Sequence, residues 1–339
     1  NGVAGRSIVV HDVDGSRLAC ANINVPATRT LTAELNQDGI SGTVTFTQVE
    51  GATSADIAVD ITGFTDEQLP VSYHVHTMPI KSGCGADSTG GHHNPLGVDN
   101  VGCSTSAQDL CEQGDLSGKH GALTTLTVDA TYTDTNIELF GENSIVGRSV
   151  VFHDNTGARI ACADIGFAGP TKEVVATFDM GGIAGTITLA QDSTDEASET
   201  TVLVDFSTVP GTTPHKYHVH ALPTDIADPE DCSLVGGHYN PLSLDLDSPT
   251  YGDGDDATFE VGDLSGKHGT LDLSAATRVL YMDTNLPLSG TNGVAGRSIV
   301  VHDVDGSRLA CANINHAVDE DKEVDDDDDD DAAGIGRKW

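Results

Sequence analysis

The sequence predicts an all-β chain made of tandem antiparallel barrels or sandwiches. Three observations point there: blocks that recur in fixed order, alternating apolar runs around Gly-bearing turns, and 38 Gly with only 4% aromatic residues among 339. A hydrophobic content of 37% is thin for a helical core, but it suits many short strands. The formal net charge is −37. That argues against nucleic acid and anionic membrane as partners, because phosphate needs a basic surface. No run of 18 apolar residues offers a membrane-spanning helix. No signal peptide is visible and the chain opens inside a motif, which reads as a mature or trimmed product.

The repeats set the organisation. Residues 1–24, NGVAGRSIVVHDVDGSRLACANIN, recur unchanged at 292–315, with a looser copy at 144–165. PVSYHVHTMP at 70–79 matches PHKYHVHALP at 214–223, and GGHHNPL at 90–96 matches GGHYNPL at 236–242. EQGDLSGKHG at 112–121 matches EVGDLSGKHG at 260–269. The expected units are therefore 25–168 and 169–315, with 1–24 as an orphan copy of a unit's last segment. Within each unit, TLTAELNQDGISGTVTFTQ and EVVATFDMGGIAGTITLAQ read as hairpins with Gly at the turn. GRSIVVHDVDGSRLACANI repeats that pattern, and no helical period exceeds two turns. Residues 316–339 carry seven consecutive Asp, a run that repels itself and reads as an acidic, flexible tail.

The histidines carry the chemistry. In Tyr-His-Val-His, His74 and His76 lie two apart, so a strand puts both rings on one face; His218 and His220 repeat this. A lone strand histidine is more often structural than a ligand. Here each unit adds a His after Gly-Gly (His92, His238) and one at the end of an apolar strand (His153, His302), in the same order twice. Four imidazoles with no required thiolate suit Cu(II), which favours tetragonal nitrogen sites. Zinc is the rival, but its structural sites usually contain Cys.

These motifs, YHVH, GGH(H/Y)NP, GDLSGKHG and GRS(I/V)V(V/F)HD…R(L/I)AC, resemble the Cu,Zn superoxide dismutase superfamily over about 290 residues, its copper-only branch in particular. The resemblance implies tandem eight-stranded Greek-key β-barrels, each with one copper. Copper would be held by His74, His76, His92 and His153 in one unit, and by His218, His220, His238 and His302 in the other. Arg159 and Arg308, three residues before a Cys, match the arginine that guides superoxide; a fixed guanidinium attracts a small anion. In the orphan, His11 and Arg17 match a copper ligand and that arginine. The implied activity is disproportionation of superoxide to O2 and H2O2, with His92 or His238 taking up a proton. Lys119 and Lys267 add local positive charge for steering, since a whole-molecule charge of −37 repels superoxide.

Departures from the zinc enzymes follow. Between His92 and Asp115 the only other histidine is His93, and between His238 and Asp263 there is none. Glu112 and Glu260 stand where a zinc histidine would fall, so zinc is expected to be absent. Glu112 with Asp115, and Glu260 with Asp263, are expected to hold the far nitrogen of His92 and His238; capping of loop NH groups is the alternative. Between His153 and Arg159, and between His302 and Arg308, only five residues remain, which predicts open, shallow copper sites. His120, His268 and His93 read as packing residues.

Seven cysteines indicate an oxidising, extracellular setting. The resemblance implies Cys84–Cys162 and Cys232–Cys311; Cys103 and Cys111, close together in an inserted loop, are expected to pair. Cys20 is left without a partner in the chain. The orphan segment reads as the cut end of a longer array. The alternative is strand donation into a neighbouring molecule, giving a homo-oligomer or head-to-tail assembly. The expected function is a secreted copper-dependent superoxide dismutase, against an extracellular copper-binding or self-assembling structural protein. Residues 245–256, DLDSPTYGDGDD, are a weak calcium candidate, and DVDG at 303–306 a weaker one that a hairpin tip explains better.

Overall fold

The computed structural model describes residues 6–13, 15–23, 27–195, 198–208, 214–225, 227–271 and 277–316. Two strands open the chain, β1 (Arg6–His11) and β2 (Arg17–Ile23), and form a sheet of two. The first barrel then follows: β3 (Thr28–Gln37), β4 (Ile40–Val49), β5 (Ala55–Thr62), β6 (Ser72–His76), β7 (Thr127–Asp134), β8 (Ser149–His153) and β9 (Arg159–Phe167). Short helices α1 (Ala86–Thr89) and α2 (Leu116–His120) lie in the long loop between β6 and β7. The strand order is β6-β8-β9-β3-β4-β5-β7, all antiparallel. The β5–β6 and β7–β8 connections cross from one end of this order to the other, as in a Greek key. Val71 and Leu123 then exchange backbone bonds of 2.9 and 2.8 Å between the two ends, which curls the sheet into a barrel.

The second barrel repeats the plan with β10 (Thr171–Met180), β11 (Ile183–Asp192), β12 (Thr200–Thr208), β13 (Tyr217–His220), α3 (Leu264–His268), β14 (Thr277–Asp283), β15 (Ser298–His302), β16 (Arg308–Asn313) and β17 (Asn315–His316). His215 and Leu271 close it as Val71 and Leu123 close the first.

Alternation explains the strands. ADIAVDIT in β5 buries every second residue, placing Ile57, Val59 and Ile61 with Phe46, Tyr73 and Phe152 in one core. The β3–β4 turn is Asp38-Gly39, both with positive φ (52° and 86°), which matches the strands' right-handed twist. Gly42, at φ 138°, lies so close to β5 that a Cβ there would sit 2.0 Å from the Asp60 carbonyl oxygen.

The barrels touch. Leu203, Leu280 and Met282 of the second pack on the core of the first. Buried Arg29 bonds the Leu139 carbonyl (2.5 Å) and Glu199 (2.6 Å), with Phe140 4.0 Å over its guanidinium. Among the described residues β1 and β2 pair only with each other, and Ile8, Val10 and Leu18 stand exposed. The partner of Cys20 and the acidic tail lie outside what is described.

Gly42→Ala is expected to cost about 2–4 kcal/mol in urea unfolding, because backbone must move to admit the methyl. Gly39→Asn, in open space at a φ asparagine tolerates, should cost less than about 1 kcal/mol.

Candidate metal centre

Strand alternation aims the first two ligands. Tyr73 and Val75 of β6 enter the core, so His74 and His76 leave on the outer face. On β8, Phe152 is buried, and a register shift between Phe152 and His153 turns His153 toward β6. The loop returns His92 beside His76, where the His93 amide bonds the Val75 carbonyl at 2.8 Å. Donor atoms of His74, His76, His92 and His153 all lie within 4.8 Å of one another. His218, His220, His238 and His302 converge identically on β13, the next loop and β15.

Hydrogen bonds decide which nitrogen faces inward. His76 donates Nδ1–H to the Gly90 carbonyl (3.0 Å), and His153 donates Nδ1–H to Gly157 (3.3 Å). A carbonyl only accepts, so both Nε2 atoms carry lone pairs. Those two Nε2 atoms face each other at 3.3 Å. His92 points Nδ1 at Glu112 Oε2, 2.7 Å away, leaving Nε2 for the centre. His74 has Nε2 3.5 Å from Asp115, while its buried Nδ1 lacks any hydrogen-bond partner. The second barrel repeats each feature: His220–Gly236 (3.1 Å), His302–Gly306 (3.1 Å), facing Nε2 atoms at 3.3 Å, His238–Glu260 (3.3 Å), and an unpartnered Nδ1 on His218. Opposed lone pairs and a buried orphan acceptor are costly unless a cation sits among them, so the donor set fits a four-nitrogen metal ion.

Burial disfavours the charged form of six of these rings. It pulls His74 and His218 down to about 2, with neighbouring histidines adding to the effect. It pulls His76 and His220 to about 4 against the opposing carbonyl bonds, and lowers His153 and His302 as well. Arg159 is fixed at the rim, donating to the Cys84 carbonyl (3.0 Å), Thr89 Oγ1 (2.6 Å) and the Gly90 carbonyl (2.9 Å) that also serves His76. Arg308 is held likewise by the carbonyls of Cys232 (2.5 Å), Ser233 (3.0 Å) and Gly236. A cleft of about 1020 Å³, lined by Lys216, His218, His238, Tyr251 and His302, opens the second centre to solvent.

Several expectations need correction. Asp115 and Asp263 do not reach the far nitrogens of His92 and His238. Instead they cap α2 and α3, accepting from Gly118 (2.7 Å) and Gly266 (2.8 Å), because an Asp ahead of a helical turn satisfies its free NH groups. Lys119 and Lys267 cannot steer an anion. Both side chains are fully buried on Asp134 (2.7 Å) and Asp283 (2.6 Å), joined there by His120 and His268 at 2.9 Å. Burial pushes the Asp134 carboxyl up, but the bonds from His120 and Lys119 prevail and hold it at about 2. His93 is buried and donates to the Asn143 carbonyl (3.0 Å); Tyr239, at its position, lies under Arg297 at 3.6 Å. His11 and Arg17 are exposed on the orphan hairpin, and His11 joins no group of ligands among the described residues. Of 245–256, only Asp256 enters such a group, and Thr284 already occupies its carboxylate.

Disulfides join Cys84–Cys162, Cys103–Cys111 and Cys232–Cys311. Two loop residues escaped the sequence reading. Asn100 bonds Asp115 (3.1 Å) and the Glu112 amide (2.5 Å); Tyr251 does the same for Asp263 (2.6 Å) and the Glu260 amide (3.4 Å). Tyr251 and Phe259, rings 5.6 Å apart, stand as far before Glu260 as Cys103 and Cys111 stand before Glu112. An aromatic contact thus replaces a covalent one, and that spacing was the available signal.

A sequence profile described as Copper/zinc superoxide dismutase matches residues 40–165 and again 183–314. The chain belongs to the copper/zinc superoxide dismutase family. Among related family members, cell surface superoxide dismutase (Cu-Zn) 6 of Candida albicans is 35% identical over 129 residues, 37% of this chain and 40% of that protein. Cell surface Cu-only superoxide dismutase 5 of the same organism is 34% identical over 132 residues, 38% of this chain and 56% of that one. The chain thus spans roughly half the length of these two dismutases. The solved Cu(II) structure of Candida albicans superoxide dismutase 5 is 30% identical, covers 42% of this chain and 93% of that one, and has a TM-score of 0.38.

The lowered histidines fix the acid response of the metal-free dismutase fold. Their folded values lie below 6.5, so the unfolded chain takes up protons first. The resulting stability is complete above pH 6.5 and falls as pH drops toward about 4 through His76 and His220. In chelator-treated protein, His76→Gln with His220→Gln should flatten that loss in urea titrations by about one proton per substituted ring.

Proposed function

We propose that the chain is a secreted, copper-dependent superoxide dismutase with two open centres that hold copper without zinc. The observation that carries this reading is the facing pair of Nε2 lone pairs beside a buried, unpartnered Nδ1, present in both barrels. When bound, copper supplies a one-electron couple through which one superoxide is oxidised to O2 and another reduced to H2O2. Arg159 and Arg308 supply fixed positive charge for an incoming anion, each rigidified by backbone carbonyls. Glu112 keeps a proton on His92 Nδ1, so Nε2 is the atom that can accept a second proton, and the carboxylate then stabilises the imidazolium; Glu260 serves His238. Among the described residues one carboxylate meets each Nδ1 and the nearby aspartates are engaged as helix caps, which supports a centre that works without zinc. The disulfides and the cell-surface relatives support an extracellular location.

A second reading rests on the orphan hairpin. Its exposed Ile8, Val10 and Leu18 favour an assembling extracellular protein in which copper chemistry is incidental. Activity separates the two. His153→Ala combined with His302→Ala should lower dismutation by about 100-fold or more, since even residues behind a ligand cost 10–100-fold. Unchanged activity in a pulse-radiolysis assay defeats the catalytic reading.

The charge of −37 sets the salt response. With Lys119 and Lys267 buried, the global field opposes superoxide approach. Dismutation should therefore speed up as ionic strength rises from about 0.01 M to about 0.15 M and screening shortens that field.

A further inference from the structure

We propose that Arg278, on β14 of the second barrel, is a positioning residue for the metal centre of the first. Its guanidinium reaches across the interface, with Nη1 donating to the Ser88 carbonyl and Nη2 to the Pro79 carbonyl at 3.0 Å. Nε bonds Asp205 Oδ2 at 3.2 Å, and Asp205 Oδ1 accepts from Lys81 of the first barrel at 2.7 Å. The loop 79–88 is therefore gripped at both ends by charged groups of the neighbouring barrel. Ser88 is itself buried, and its Oγ accepts the amides of Lys81 (2.7 Å) and Ser82 (3.0 Å), so the loop moves as one piece.

The next two residues build the site. Thr89 Oγ1 holds Arg159 at 2.6 Å, and the Gly90 carbonyl holds both Arg159 (2.9 Å) and His76 Nδ1 (3.0 Å). Three consecutive residues thus take the clamp, the anion-guiding arginine and the ligand histidine. A guanidinium fork on two carbonyls fixes direction as well as distance, which a flexible loop cannot do alone. The second barrel is built differently. Counting back from its Gly-Gly-His, Leu234 stands where Ser88 does and is 59% exposed, and Val235 replaces the Thr89 hydroxyl. The two centres, alike in their ligands, differ in what holds them.

The bonds to Arg278 exist whether or not the copper reading holds; only the anion arm of the test rests on it. Leu280, Met282 and the Arg29–Glu199 pair remain in Arg278→Ala, which keeps the barrels docked. In the metal-free full chain, Arg278→Ala should speed amide hydrogen exchange over 84–90 by about tenfold and leave 232–238 unchanged, with Arg278→Lys restoring part of the protection. In the Cu(II)-loaded chain carrying His218→Ala, the azide dissociation constant of the first centre should rise about tenfold on adding Arg278→Ala. In the complementary His74→Ala chain, the second centre should not respond. Unmoved exchange over 84–90, an equal rise over 232–238, or unmoved azide affinity at the first centre overturns the proposal. Should Arg278→Ala not fold, Lys81→Ala, at a half-exposed side chain, must give a smaller rise over the same segment or the proposal fails. A chain that takes up no copper defeats the proposed function, while hydrogen exchange still decides the role of Arg278.

Discussion

The structure turns on where the imidazole protons are kept. A histidine has two ring nitrogens, and only the one facing away from the centre can be pinned by the protein. Here Gly90, Gly157 and Glu112 pin the Nδ1 atoms of His76, His153 and His92, and their counterparts do so in the second barrel. The result is a set of lone pairs aimed at one point. A cation at that point relieves the arrangement, and the barrel geometry holds the rings in place for it.

The long loop after β6 is the part that needs the most support. It brings in His92, Glu112 and the carbonyls that hold Arg159, yet it contains little regular structure. A buried Lys-Asp-His triad ties the end of α2 to β7, where Lys119 also bonds the Gln113 carbonyl (2.7 Å) and Asn136 (2.6 Å). A disulfide to β9 ties its first stretch, and a second disulfide closes its outer turn. Charges so completely buried are stable only because each has a partner; removing one would strand the other.

The two barrels solve the same problem with different chemistry. The first loop is clasped by Cys103–Cys111 and by the neighbouring barrel; the second uses Tyr251 against Phe259 and Asp263. On the faces themselves the difference is plain. The outer face of β12 and β14 carries Leu203, Leu280, Met282 and Arg278, and it is covered. The corresponding strands of the first barrel present exposed Asp56, Asp60 and Asp129. Equal folds, with one face apolar and one acidic, explain a pair that packs in one direction.

Much was written in the sequence itself. Period-two alternation, Gly at the turns and the doubled Tyr-His-Val-His fixed the strand content, the repeat and the eight ligand candidates, because each of these depends on spacing along the chain. The roles of Asp115, Asp263, Lys119 and Lys267 did not follow from spacing. Whether a carboxylate caps a helix or meets an imidazole, and whether a lysine faces solvent or a buried aspartate, depends on which loop packs where. Asn100, Tyr251 and Arg278 were invisible for the same reason: their hydrogen-bond partners lie 9 residues or more away along the chain, 190 for Arg278 and Ser88, and only the closed barrels bring them together.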